Sequence, residues 1–380
     1  MPGAGSTLDS PGQGLTDGAE FGGWPKSGGF RMPAEWEPHA ATWLSWPHNR
    51  QTWPDALAAV ESAMADMAAA LAECETVRIN VLDEAHERHV ARLLRARAPS
   101  RRIVFHRIPT DDAWCRDHGP VFLTGDRSGP GAKRDSCHGL LAADFEFNAW
   151  GGKYTPWDLD AASGRLMAGA LGIPRFEPGM VLEGGSIDVN GCGALLATEQ
   201  CLLNPNRNPH LDRCAIEERL KRALGVSRVI WLGGGIEGDD TDGHVDGVAR
   251  FVGRRRILAC VEDDPTDRNH RALCANRERL EDARLPGGQR PEIVDLPMPA
   301  PVYRRGHRLP ASYANFYIAN EIVIVPGFGG RGDDLAGEIV SECFPSRRVV
   351  TVDCRRIVIG LGAVHCLTQQ VPAQANRPPR

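Results

Sequence analysis

From Met32 to the neighbourhood of Gln370, short β-like runs alternate with amphipathic helical stretches. That alternation narrows the available folds more than any other feature, because strands interleaved with helices specify an α/β protein. The β-like runs fall at 77–82, 103–108, 194–197, 229–232, 257–261, 322–325, 349–352 and 357–359. Helices are expected near 55–73, 84–98, 211–224, 269–284 and 334–343. In the first of these, Leu57, Val60, Met64, Met67 and Leu71 form one apolar stripe at helical spacing. Thr52 and Asp55 resemble a capping box, with Pro54 in the first turn. Residues 1–31 are rich in Gly, Ser and Pro and read as a flexible tail. One catalytic domain is expected over 32–372, followed by a short tail over 373–380. Within it, 125–139 reads as a surface insertion and the Pro-rich 286–301 as a connection.

Composition removes several function classes. A hydrophobic fraction of 42% supports a sizeable core, and no apolar run approaches the ~20 residues needed to span a bilayer. The net charge of -5 offers no electrostatic footprint for nucleic acid or anionic lipid. The 11 cysteines contain no CxxC and no zinc-finger spacing, so reduced thiols in a cytoplasm are expected, and a special cysteine is better read as a nucleophile.

Three segments could carry chemistry. In Thr110 to Pro120, three carboxylates (Asp111, Asp112, Asp117) crowd with Trp114 and Arg116 after a β-like run, where α/β proteins place working groups; a turn with Asp caps is the bland alternative. In Gly238 to Gly247, His244 stands among Asp239, Asp240, Asp242 and Asp246, whose charges would raise its pKa; a capped surface loop is the alternative there. Gly233, Gly235 and Gly238 fit a dinucleotide fingerprint, but Asp-Asp-Thr-Asp-Gly does not open a long helix, and an EF-hand frame lacks its terminal Glu. His244 and Asp246 have no second His/Cys cluster to complete a metal site, so no metal is expected. In Gly360 to Gln370, Cys366 is a candidate nucleophile flanked by glycines, although an inert buried cysteine is common. His365 is its neighbour, but strand neighbours point to opposite faces, which leaves His244 as the better base. Glu183, ahead of Gly184 and Gly185, is a fourth candidate. Asp117, Glu183, His244 and Cys366 are spaced by 66, 61 and 122 residues, which suggests a repeated module with a silent anchor near residue 305.

At these residues the chain resembles the agmatine deiminase family, which includes the bacterial-type peptidylarginine deiminases of the guanidine-modifying superfamily. The matching segments are Met32 to His39, Asp111 to Pro120, Phe147 to Lys153, Leu182 to Ser186, Leu202 to Pro209, Gly238 to Asp246, Ser312 to Phe316 and His365 to Gln370. The resemblance implies a pentein-like fold, a five-module pseudo-symmetric α/β propeller. It implies Cys366 as nucleophile, His244 as acid/base, and Asp117 and Asp246 as guanidinium holders. Glu183 is then a further site acid, Trp114 a pocket wall, and Asp240 the partner of the substrate's distal amine. Leu361, Ala363, His118 and Asp240 depart from the usual family residues, which bears on the substrate more than on the chemistry. The implied reaction is hydrolysis of a small guanidino compound, agmatine first, without cofactor, nucleic acid or membrane partner; a homo-oligomer fits equally. Rival readings are a peptidyl- or free-arginine deiminase, an amidinotransferase, and a silent guanidine-binding relative.

Overall fold

The computed structural model describes residues 19–125 and 139–374. Among them, five sheets of three or four strands repeat one wiring. A strand pairs antiparallel with a second, and the second crosses through a helix to a third strand lying parallel beside it. One unit joins Thr368–Pro372, His39–Ser45, the helix Leu57–Cys74 and Thr76–Val81, with Ile103–Arg107 added in parallel. Another joins Val121–Gly125, Leu140–Ala143, the helix Asp158–Leu171 and Arg175–Phe176, with Phe30–Arg31 along its outer edge. The third runs through Ile187–Val189, Ala194–Thr198, Arg213–Leu224 and Arg228–Leu232. A fourth runs through Ala249–Phe251, Arg256–Val261, His270–Asp282 and Glu292–Pro297. The last runs through Tyr317–Ile318, Ile322–Gly327, Gly332–Cys343 and Arg348–Asp353. The result is a mixed α/β domain.

The helix stripe behaves as the spacing demands. Val60, Met64, Met67 and Leu71 are fully buried against Val77 and Ile79 of the strand that follows. Its cap differs from expectation: Ala56 caps without a side-chain bond, because the Thr52 hydroxyl donates to Asp112 and Asp55 adopts a left-handed φ of 64°. Residues 357–359 form a 3-10 helix, Ile357–Gly360, and are not a strand. The Pro-rich connection contains the strand Glu292–Pro297, whose last residue Pro297 lies at the strand's end, where a proline is tolerated. Residues 19–31 pack onto the domain: Phe21 meets Phe30, and Trp24 lies between Phe176 and the Arg222 guanidinium. Aromatic anchors override a Gly-rich composition there. Residues 1–18, 126–138 and 375–380 lie outside the described residues, and with them most of the expected tails and insertion.

One carboxylate ties the units together. Glu35, buried just ahead of His39–Ser45, accepts from Arg250 (2.9 Å) and the Ile318 amide (2.8 Å) on one oxygen. Its other oxygen accepts from Arg116 (3.2 Å) and His365 (2.8 Å). Arg250 in turn reaches Asp188 (3.3 Å) and the Phe316 carbonyl (2.8 Å). Burial would push the Glu35 acid upward, but Arg250, His365 and Arg116 outweigh it and hold it well below the carboxylate range. Glu35→Gln would leave two buried guanidinium groups short of a counter-charge and should cost about 3–5 kcal/mol in urea unfolding. Glu84→Gln, which breaks the exposed pair with Arg88, should cost under about 0.5 kcal/mol.

Candidate active site

Each unit delivers a polar side chain just ahead of its first strand. Asp117 closes the short helix Cys115–His118 before Val121–Gly125, and Glu183 precedes the turn Gly184–Ser186 before Ile187–Val189. His244 precedes the turn Val245–Gly247 before Ala249–Phe251, and Cys366 sits in a turn before Thr368–Pro372. The remaining unit supplies Asn315, ahead of Tyr317–Ile318, close to the anchor expected near 305. Gly185 lets these groups meet. A methyl there would lie 2.6 Å from His244 Nδ1, 2.9 Å from Asp117 Oδ1 and 3.1 Å from Asp246 Oδ2.

Cys366 is buried, accepts from Asn315 Nδ2 at 3.2 Å, and lies 3.7 Å from Asp246 Oδ2. Its carbonyl is pinned by the Arg116 amide (3.1 Å), which joins the Cys366 turn to the Asp117 helix. Burial, then the charges of Asp246 and Asp117, push its thiol well above the usual range. Asp117 accepts from the Gly185 amide (2.9 Å) and from Trp150 Nε1 (3.0 Å), and burial beside Asp246 and Glu183 raises it to about 6 despite the nearby His244. Asp246 gives one oxygen to His365 Nδ1 at 2.7 Å. Burial would raise its acid, yet His365 and His244 lower it overall. Glu183 accepts from Arg207 Nε at 2.6 Å, and its other oxygen, Oε2, has no partner among the described residues. His244 and Arg207 together outweigh burial and lower the Glu183 acid.

His244 is the least satisfied side chain in the cluster. Nδ1 lies 3.9 Å from Asp117 Oδ1 and Nε2 lies 3.8 Å from Glu183 Oε2, so neither buried nitrogen makes a hydrogen bond. Burial alone would depress its pKa, but Asp117, Cys201 and Glu183 raise it well above the ordinary value. The ring is therefore held charged, with neither nitrogen within hydrogen-bond distance of an acceptor.

The structure changes two geometric premises of the sequence reading. His244 and Asp246 reach one pocket through a 3-10 turn, not an extended segment. His365 and Cys366 share a turn, not a strand, and His365 is no base for Cys366 because its two nitrogens are committed to Asp246 and Glu35. Trp114 is buried, with Gly362 so close that a methyl there would lie 2.4 Å from its ring. Asp240 stands apart and accepts from the Tyr154 hydroxyl. Tyr154 packs edge-on against Trp150 (5.7 Å), whose indole reaches Asp117. His118 turns away to Ser163 (2.8 Å), and burial holds it down to about 3, so it is neutral.

Sequence reasoning left Asn315, Trp150, Arg207, Cys201 and Glu35 without roles. Trp150 carried a signal only in retrospect: in Ala149–Gly152 all four residues have positive φ, from 53° to 93°. Two of them are not glycine, a strain of roughly 1–2 kcal/mol each that aims the indole at Asp117. Asn148 braces the turn through the Gly151 amide (2.8 Å) and the Asn206 carbonyl (3.0 Å).

A buried thiol, a charged imidazole without a hydrogen bond and three carboxylates, drawn from four of the five α/β units with Asn315 from the fifth, make up an acidic, cysteine-centred site. A model of the Porphyromonas-type peptidyl-arginine deiminase family matches residues 31–372, and the chain belongs to that family. Its similar relatives point to one branch. Agmatine deiminase of Medicago truncatula is 38% identical over 375 residues, covering 92% of this chain and 98% of that one. The Ectopseudomonas mendocina agmatine deiminase is 38% identical over 372 residues, with 92% and 97% covered. The structure of Enterococcus faecalis agmatine deiminase superposes with a TM-score of 0.86 at 32% identity, covering 94% of this chain and 100% of that chain. A C. jejuni agmatine deiminase with substrate bound gives 0.80 at 30% identity, with 91% and 97% covered.

The electrostatics generate a prediction independent of turnover. Because Asp117 is the leading favourable charge on His244, Asp117→Asn should move the His244 ring titration to lower pH. Histidine ring resonances followed by NMR across pH would read the shift; an unchanged midpoint would exclude the coupling.

Proposed function

We propose that this chain is a hydrolase that deiminates a small guanidino amine, agmatine first, giving N-carbamoylputrescine and ammonia through a covalent adduct on Cys366. One observation carries the reading: the thiol lies under the charges of Asp246 and Asp117, with Glu183 acting on Asp117 in turn, so the group that completes the pocket is a cation. Relatives and solved neighbours named agmatine deiminase support it.

A guanidinium is a planar, resonance-stabilised cation and a poor electrophile. Asp117 and Asp246 hold its N–H groups and turn the carbon toward Cys366. Its charge offsets the two carboxylates that keep the thiol protonated, and the thiol proton passes to solvent water as the thiolate forms, where the ammonia released later takes it up. The thiolate attacks the guanidinium carbon. His244, charged at the outset, protonates the departing nitrogen, and ammonia leaves an amidino-thioether. The neutral His244 then takes a proton from water, the hydroxide attacks the same carbon, and the C–S bond breaks as the new hydroxyl proton passes to the leaving sulfur, returning the free thiol and the carbamoyl product. Asn315 donates to the sulfur throughout. Trp114 walls the pocket, and Asp240, steered by Tyr154, meets the distal amine. Lys153 is tied to Asp242 at 2.9 Å, which withdraws the cation that the carboxylate of free arginine would need.

The repeated wiring supports a five-module pseudo-symmetric α/β propeller over 32–372, with the five polar side chains gathered at its axis. No helix among the described residues is long and apolar enough to cross a membrane. A reactive thiol suits a reducing cytoplasm.

Ammonia release and product mass across agmatine, arginine, arginyl peptides and guanidino acids test the reading directly. Cys366→Ala should abolish turnover and single-site labelling by a haloacetamidine, as seen by intact mass. His244→Gln should stop turnover while substrate still binds, with the amidino adduct on Cys366 accumulating if ammonia loss outpaces water attack. Asp240→Asn should raise KM for agmatine about tenfold or more, as expected for a desolvated ion pair, and leave a guanidine lacking the amine almost unchanged. Equal effects on both substrates would remove Asp240 from the tail site.

A further inference from the structure

Cys201 is a buried thiol that the reaction does not use. It lies at the end of the strand Ala194–Thr198, in the short helix Glu199–Leu202 capped by Thr198, 43 residues from His244 in sequence and beside it in space. Its sulfur, a Glu183 oxygen and a His244 nitrogen all lie within 4.8 Å of one another, and all three side chains are buried. Two of the three groups make no hydrogen bond at these atoms: Glu183 Oε2 and His244 Nε2 face each other as a loose ion pair across 3.8 Å. A tetrahedral zinc ion, with bonds of about 2.0–2.3 Å, separates its ligand atoms by roughly 3.4–3.6 Å. Closing the triangle onto such an ion therefore takes shifts of about 1 Å.

The surroundings favour a metal at this point. Arg207 binds Glu183 through the opposite oxygen, and its remaining nitrogens are committed to Asn206, Asp242 and the Thr241 carbonyl, which leaves Oε2 open. On the far side of the ring, Asp117 Oδ1 lies 3.9 Å from Nδ1 and would hold the Nδ1 proton, the carboxylate–histidine–metal relay that fixes the tautomer of a ligand imidazole. A mixed sulfur, nitrogen and oxygen set suits Zn2+ and disfavours Mg2+ or Ca2+.

We propose that Glu183, Cys201 and His244 form an inhibitory site for a zinc-like divalent cation, separate from Cys366. Binding releases two protons, one from the Cys201 thiol and one from His244 Nε2, and forms three metal–ligand bonds. A metal on Nε2 denies His244 its proton chemistry. The binding half stands on geometry alone, whereas the inhibitory half rests on the acid/base role given to His244 above.

Zinc titration against a chromogenic chelator tests binding. The starting protein carries Cys366→Ala together with Cys192→Ser, Cys214→Ser and Cys274→Ser, which removes the proposed nucleophile and the exposed thiols among the described residues, including Cys274 beside His270 (3.6 Å). That protein should bind one Zn2+ per chain, and adding Cys201→Ala should weaken binding at least about 100-fold. Mg2+ should not compete. Cobalt in the starting protein should show a thiolate charge-transfer band that Cys201→Ala abolishes. Should Cys201→Ala fail to fold by circular dichroism, Cys201→Ser takes its place, and the cobalt band without Cys366 still reports a thiolate ligand. Tight zinc binding that survives loss of Cys201, or that vanishes with Cys366 alone, overturns the site. In the wild-type enzyme, Zn2+ should block ammonia release and a chelator restore it. Zinc that binds through Cys201 yet leaves turnover intact would strike the inhibitory half and the His244 role while sparing the site.

Discussion

The contact between Glu35 and Arg250 is the point on which the rest of the molecule depends. Its reach covers all five units: Glu35 stands at the entry to one, Arg116 precedes the next, and Asp188, Arg250 and Ile318 belong to the other three. The apolar core is divided into clusters that join neighbouring sheets, with the largest built around the helix Leu57–Cys74 and another around Phe251, Phe316 and Val323. Hydrophobic burial drives each cluster together but is tolerant of small slides. A charged knot is not. Removing these ions from water is costly, and the cost is recovered only when every hydrogen bond closes in one geometry, so we read the knot as the element that sets how the units meet.

The same knot reaches the chemistry. His365 bridges Glu35 and Asp246, and Asp246 lies beside the Cys366 sulfur. The backbone of Arg116 holds the Cys366 carbonyl while its side chain contacts Glu35. The position of Cys366 is thus inherited from the scaffold. Around it the carboxylates act in two directions at once: they keep a thiol neutral and an imidazole charged. Both departures relax when a cation enters, so the pocket distinguishes charged from neutral ligands before any shape is read.

Much of this was visible in the sequence because strand ends, glycines and acids announce themselves locally. The stripe from Val60 to Leu71, most of the β-like runs, and Asp117, Glu183, His244, Asp246 and Cys366 needed only short-range pattern. What escaped depends on long-range closure. Cys201 reads as an ordinary core cysteine until the fold carries it to His244, and Arg207 as an exposed loop arginine until Glu183 accepts from it. The strand Thr368–Pro372 was hidden because its partner lies more than 300 residues earlier, at His39–Ser45. Residues 357–359 are β-branched and apolar yet fold as a 3-10 turn, since the glycines after them must pass Trp53 and Trp114 closely. Tertiary crowding overrode propensity there.

That late pairing has a consequence for the newborn chain. Cys366 leaves the ribosome after every other residue of its pocket, and its turn cannot be fixed until Thr368–Pro372 docks beside a strand made near the start of translation. Joining ends so distant is slow in proportion to the separation it must span. During that interval the earlier units present a hollow lined with acids and lacking the Cys366 sulfur. Until that strand docks, the chain has no means of holding Cys366 beside Asp246, so the last strand to be made is also the one that completes the pocket.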